Sequence, residues 1–463
     1  MPRYRHKKRS SSGLSLEGSL STIEATEATQ GRVIRYETRL QRAKRDEFIR
    51  TQLPSPIKSL PNELLCQILK TTIETTPAQC DPHRVRKHEL ETVCRHWRDI
   101  IVNTPSFWTF VQLAPTWPKA LVKVHLERSR QCPLDLVFSG FQPRFESTTL
   151  LDIVMPTTHR WRSLTILLQS PNDTLLILKR FDCAMFPSLA LLSVPIRYYS
   201  KFLHPGNVPV LRSLEIRNDS PSPDGFQLPP TVEKLSIDIA FFRSYPIRWL
   251  QSSSLQGLKV LSLKGNTTYW QMQPNSIHLP RLAHFSCEVT HARELLQGLA
   301  APNLTHVNYI RSHYESLSVA LQRIQSKWTS VRELIFGFTQ IACCRAYIPR
   351  ALYLAAPNLR GLEVMQQDLG SLLQSEDGLR RIDRWEHLER FVIISDVRKV
   401  EDMRRRLVPW LKKRMKFGKP ALKVFFSFAN PHEVKLERSA LDEIGKYCSE
   451  VNFCMQEKIG HTS

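Results

Sequence analysis

Glycine is scarce in this sequence: 16 in 463 residues, against 30 prolines. Loops that cradle phosphate on successive backbone N–H groups need glycine, and no G-x-G-x-x-G or Walker pattern occurs. Cysteine is also sparse. Ten in a chain of this length make no disulfide framework, so a reducing compartment, cytoplasmic and/or nuclear, is expected. No apolar run approaches the roughly 18 residues of a membrane-spanning helix. Stretches such as 189–196 and 351–356 fall well short, and no membrane partner is expected. No secretory core follows the basic N-terminus, because Leu14, Leu16 and Leu20 are separated by Ser, Glu and Gly. Neither G-x-S-x-G nor H-E-x-x-H is present. The chain reads as non-catalytic, with no cofactor.

Positive charge is plentiful: 65 Lys+Arg against 43 Asp+Glu, a formal net charge of +22. Such an excess fits nucleic acid, an anionic surface or simply a basic exterior, and position decides between them. Residues 1–30 read as a disordered basic tail. Arg3, Arg5, Lys7, Lys8 and Arg9 lead into serines and threonines without apolar period. Over 31–53, Val33, Tyr36, Leu40 and Ala43 recur at helical spacing and predict an amphipathic helix. A late basic run holds Arg404, Arg405, Arg406, Lys412, Lys413, Arg414 and Lys416. We read it as the solvated face of a helix rather than an import or nucleic-acid patch, with Val400, Met403 and Leu407 on its apolar side. Pro409 is expected to break that helix.

Two further helices are predicted between residues 57 and 113. The first opens on Leu60-Pro61, a favourable helix start, and repeats Leu60, Leu64, Leu65, Ile68 and Leu69 on a wide stripe. A loop from Thr71 to about Arg86 separates it from the second, which carries Leu90, Val93, Cys94, Trp97, Ile100 and Ile101 on one face. Thr104-Pro105 ends that helix, and an aromatic turn, Ser106 to Phe110, follows. So small a module cannot cover all these apolar side chains, and an exposed apolar face marks a partner surface. Which of Leu64, Val93 and Trp97 face the module's own core is open at this point.

The run Leu60-Pro61-x-Glu63-Leu64-Leu65-x-x-Ile68-Leu69, then Val93-Cys94-Arg95-x-Trp97-Arg98-x-Ile100, then Thr104-Pro105-x-Phe107-Trp108 resembles an F-box. The long loop between the helices, the basic N-terminal helix and the segment Cys132-Pro133-Leu134-Asp135-Leu136 are similar to F-box proteins abundant in mushroom-forming fungi. The resemblance implies docking onto a Skp-type adaptor and, through it, a cullin–RING ubiquitin ligase. It implies contact residues among Leu60, Pro61, Leu64, Leu65, Ile68, Leu69, Val93, Cys94, Trp97, Ile100, Ile101 and Trp108.

From about residue 160 a short pattern recurs, apolar-x-x-apolar-x-apolar. Its copies start at Trp161, Leu189, Leu211, Val232, Leu258, Leu282, Leu304, Val331, Leu359 and Leu388. Their spacing of about 21 to 29 residues is that of leucine-rich repeats, and the alternation within each is a strand's. One copy, Leu258 to Asn266, keeps the asparagine of the full pattern. Segments between copies read as helices, as at 314–322, or as turns, as at 221–225. The expected fold class is α/β: a small all-α F-box module, then an irregular leucine-rich-repeat-like α/β solenoid over 130–463 with a parallel sheet on its concave face. The strand at 424–428 and the helix at 439–447 are expected to cap its end.

Residues between the apolar positions would line that sheet. They include Arg212, Glu215, Lys234, His306, Glu333, Glu363 and Arg390, mixed in sign. Such a surface suits a protein target and lacks the basic groove with stacked aromatics that single-stranded nucleic acid uses. The reading is a substrate receptor of an SCF-type ubiquitin ligase. The alternative is a basic nucleic-acid-associated or scaffolding solenoid. Cys80, His83, His88, Cys94 and His96 are close in sequence, but Cys94 and His96 point to different helix faces, so no metal is expected. Cys448 and Cys454 read as buried thiols.

Overall fold

The computed structural model describes residues 60–74, 82–114, 117–140, 146–168, 171–195, 201–218, 228–239, 255–268, 270–311, 327–338, 348–366, 369–373, 375–376, 379–395, 400–428 and 438–455, with a few isolated positions besides. The predicted tail, the helix over 31–53, the turn at 221–225 and most of the helix at 314–322 lie outside these residues. Two compact units divide the chain, Met1–Ile101 and Val102–Ser463.

In the first unit α1 (Asn62–Glu74) begins directly after Pro61, whose carbonyl accepts the Leu65 N–H at 3.0 Å. It packs against α2 (Pro82–Val93), which also opens on a proline. The predicted loop is therefore shorter than expected, because α1 continues to Glu74 and α2 starts at Pro82. The predicted second helix is in fact two. Cys94 interrupts it, and α3 (Arg95–Asn103) restarts with Cys94 as its cap. The Cys94 carbonyl accepts from Arg98 N, and its Sγ accepts from Trp97 N at 3.5 Å. Arg98 Nε then ties α3 back to the Glu91 carbonyl of α2 at 3.2 Å.

The second unit is mixed α/β around a 14-stranded sheet. The strands, in chain order, are β1 (Phe110–Leu113), β2 (Leu134–Ser139), β3 (Trp161–Leu167), β4 (Leu191–Pro195), β5 (Ser213–Asn218), β6 (Lys234–Ile239) and β7 (Val260–Gly265). A short β8 (Ile277–His278) precedes β9 (His284–Val289), β10 (Leu299–Ala300), β11 (His306–Arg311), β12 (Glu333–Phe338) and β13 (Gly361–Met365). After the small hairpin β14 (Ser375–Glu376) and β15 (Leu379–Arg380) come β16 (Arg390–Ser395), β17 (Leu422–Phe428) and β18 (Cys448–Met455). In the large sheet every strand is parallel to its neighbours and lies beside the next in sequence, with β8, β10, β14 and β15 left out. Each apolar-x-x-apolar-x-apolar copy supplies one of these strands.

The proline count explains how the copies enter the sheet. Leu189 N bonds the Phe186 carbonyl, Leu211 N that of Val208, Val232 N that of Pro229, Leu282 N that of Leu279 and Leu304 N that of Ala301. In each case the second residue of the turn is proline: Pro187, Pro209, Pro230, Pro280 and Pro302. Proline presets the φ that this position needs. Such turns require no positive φ, which is why so few glycines suffice.

The fourth and sixth positions of each copy point into one core. Leu164, Leu192, Leu214, Leu235, Leu261 and Phe285 stand in register along one buried row. Helices fill the return paths: α4 (Lys119–Arg128), α5 (Glu146–Val154), α6 (Pro171–Phe181), α7 (Arg293–Gly298), α8 (Ile348–Ala355), α9 (Leu369–Leu373), α10 (Val400–Lys416) and α11 (Arg438–Gly445). Under the early strands Phe181 meets Phe138, Trp161, Phe186 and Phe202 edge-on, with ring centres 5.5–6.0 Å apart. Asparagines latch successive units: Asn303 Nδ2 donates to the Pro280 carbonyl and Asn358 Nδ2 to that of Thr329. Asn266 accepts from Thr268 and Thr290, fastening the end of β7 to that of β9.

Candidate functional site

Two surfaces hold residues that the sequence singles out. On the helical unit the apolar stripe splits. Leu65, Leu69, Leu90, Ile100 and Ile101 are buried. Leu64 and Ile68, four residues apart on α1, are each 49% exposed, and Val93 is 58% exposed. Pro61 and Cys94 are exposed, while Leu60 and Trp97 are half-buried. Helical spacing does not reveal this split, because neighbouring residues such as Leu64 and Leu65 belong to one wide stripe. Pro61, Leu64 and Ile68 therefore form an apolar ridge facing solvent.

Trp108 lies in the second unit and is buried there. The Arg128 guanidinium sits 4.4 Å over its ring, and His125 meets it edge-on. His125 is itself buried between Trp108 and Trp117, with Nδ1 3.0 Å from the Phe110 carbonyl. Sequence spacing gave no sign of this histidine.

The second surface is the sheet face opposite the core. Most residues at the second, third and fifth positions of the copies are exposed or half-buried there, as expected of Arg212, Glu215, Lys234, His306, Glu333, Glu363 and Arg390, whereas Gly361 and Val392 are buried. Charges along it pair from strand to strand. Arg162 bonds Asp135, Lys259 meets Glu233 at 3.0 Å, and Lys423 meets Glu450 at 3.3 Å. Arg360 lies 3.9 Å from Glu389. His284 and His306 stack on adjacent strands, ring centres 4.2 Å apart, with His306 Nδ1 2.8 Å from Thr305 Oγ1. Burial and then the His306 neighbour push the His284 pKa down.

Glu333 and Arg390 depart from this scheme by pairing across an intervening strand. Gly361 stands between them in register, and a Cβ there would come within 1.8 Å of Glu333 Oε2. The missing side chain lets Glu333 reach over β13 to Arg390 at 3.3 Å. Two residues on, Glu363 shares the same face. Burial raises its pKa, Arg390 works against that shift and Glu333 adds to it.

In the late basic run Arg405, Arg406, Lys412 and Lys416 are exposed, while other cations there are tied down. Arg404 bonds Glu443, Lys419 Nζ donates to the Asp383 carbonyl, and Arg414 is buried, donating to the Leu388 and Pro420 carbonyls. Pro409 does not break the helix: α10 runs through it. The one helical hydrogen bond that proline cannot donate is set against the burial of Val408, Trp410 and Leu411. Burial pushes the Cys448 thiol up to about 12, so it stays protonated at neutral pH. No described helix is long and apolar enough to cross a membrane. No protein-family model and no curated protein sequence matches this chain.

Proposed function

We propose that this protein is the substrate receptor of an SCF-type ubiquitin ligase, with an F-box over 57–113 and a leucine-rich-repeat-like solenoid over 130–463. The observation that carries the reading is the ridge of Pro61, Leu64 and Ile68, which faces solvent within the F-box-like pattern. An apolar ridge that its own module leaves uncovered fits a Skp-type adaptor. Burying Leu64 and Ile68 would contribute roughly 1.5–3 kcal/mol each before the costs of association. The unbroken sequential parallel sheet supports the solenoid half of the reading. Its outward face, polar and mixed in sign, would hold a target protein, and the chemistry would belong to other subunits. The pairing of its cations with carboxylates lends little to the alternative of a basic nucleic-acid-associated scaffold.

Co-purification of the full chain with a Skp-type adaptor tests the reading. Leu64→Asp with Ile68→Asp is expected to abolish recovery while leaving the melting temperature in place, because both side chains already face water. Failure of the wild type to bind, or unchanged recovery of the double variant, would sink the docking claim.

A further inference from the structure

Toward its C-terminal end the outward sheet face changes character. One row reads Ser193, Glu215, Ser236, Ser262, Ser286 and Asn308 along the middle strands. It continues in register as Ile335, Glu363, Val392 and Phe425. Glu363 is the one ionisable group in that apolar stretch. Beside it the Glu333 carboxylate lies over Gly361 and holds Arg390, whose guanidinium also sits 5.6 Å above the Phe425 ring. Arg390 is thus held from two sides, and it acts on Glu363 only from a distance. Among the described residues no hydrogen bond or ion pair closes on the Glu363 carboxyl. The guanidinium is thus paired with Glu333, and Glu363 has no cation in contact among the described residues. A carboxylate set between isoleucine and valine costs free energy unless a cation pairs with it. Glu333, Glu363 and Arg390 remain partly exposed and are reached from solvent, whereas Val392 is buried.

We infer that this patch receives a lysine or arginine side chain of the target protein, its charged end on Glu363 and its stem against the half-buried Ile335 and Phe425. The inference rests on reading the sheet face as the target surface. Charge complementarity selects the occupant. The patch is one cation short, and a phosphate or acidic segment would meet two carboxylates. The long aliphatic stem of Lys or Arg matches the apolar surface beside a half-buried carboxylate. The Glu333–Arg390 pair fixes the rim, so the site is shaped before the target arrives.

The test is selection of a displayed library of random dodecapeptides on the full chain. Lysine and arginine should be enriched over the unselected library. A basic peptide so selected should bind Glu363→Gln about tenfold or more weakly, the effect of losing one charge-assisted pair. Glu363→Lys should select acidic peptides instead. Melting temperatures of both variants, compared with wild type, keep misfolding apart from lost recognition. Selection without basic enrichment, selection of acidic peptides by the wild type, or equal affinity for Glu363→Gln would overturn the inference. Adaptor co-purification is read in parallel. Its absence with basic selection intact removes the ligase reading and supports the site. Its presence without basic selection removes the site and leaves the ligase reading.

Discussion

At Gly265 the backbone φ is +112°, and a Cβ would stand 2.0 Å from the Ile239 carbonyl oxygen of the neighbouring strand. Two requirements coincide there: a conformation that side chains avoid, and a close backbone approach. Gly418 has only the first, with φ +66° and nothing within 4 Å of an added Cβ. Gly265→Ala should therefore cost more than about 2 kcal/mol and Gly418→Ala about 1. Thermal melts of the two variants compare them, and equal shifts would remove the steric argument. Glu363 makes the opposite case, a residue that costs stability. Burial raises its pKa above the ordinary 4.5, against the pull of Arg390. The folded chain then binds that proton more tightly than the unfolded chain. The stabilising contribution is complete below 4.5 and is lost as pH rises through the raised folded value. Glu363→Gln should thus melt higher than wild type at neutral pH, with the gap closing as pH falls toward 4.5. A gap independent of pH would show that ionisation is not its source. A variant that gains stability while losing peptide binding is the pattern expected where a site is kept at the fold's expense.

Among the elements, α10 shows most clearly what the sequence carries and what it conceals. The spacing of Met403 and Leu407 identified its buried side, because helical period depends only on neighbours along the chain. The role of Arg414 was hidden. In sequence it belongs to a solvated basic run, yet its Nη2 donates to the Leu388 carbonyl at 2.9 Å and its Nε to that of Pro420 at 3.3 Å. Backbone carbonyls from other elements leave no trace in a spacing pattern. The same holds for the ridge on α1, where no period separates exposed Leu64 from buried Leu65. Arg414→Gln should leave buried acceptors unmet and cost about 1–3 kcal/mol. Lys416→Gln, exposed two residues on, should stay within about 0.5 kcal/mol of wild type. Denaturant melts of the pair measure both. Matching midpoints would return the whole run to a solvated face.

Across the whole molecule, the strands that were legible are those whose copies share one alternation, and they account for the sheet from β3 to β16. The first two strands and the last did not announce themselves. β1 has only four residues behind an aromatic turn, β2 alternates Leu134, Leu136 and Phe138 without the leading apolar residue, and β18 opens on Cys448. Because each strand of the large sheet pairs only with its sequence neighbours, stability passes from unit to unit. The last described unit is α11 with β18. β18 pairs along the full length of β17, and Ala440 and Ile444 of α11 are buried in the common core. Removing residues 438–463 would leave β17 as a bare edge with unpaired N–H and C=O groups and would uncover apolar side chains behind it. The shortened protein should melt at a lower temperature, bind a hydrophobic dye and associate through the exposed edge. Size-exclusion chromatography and dye fluorescence, compared with the full chain, measure this. If the shortened chain stays monodisperse and melts with the full-length protein, then α11 and β18 add nothing to the stability of the array.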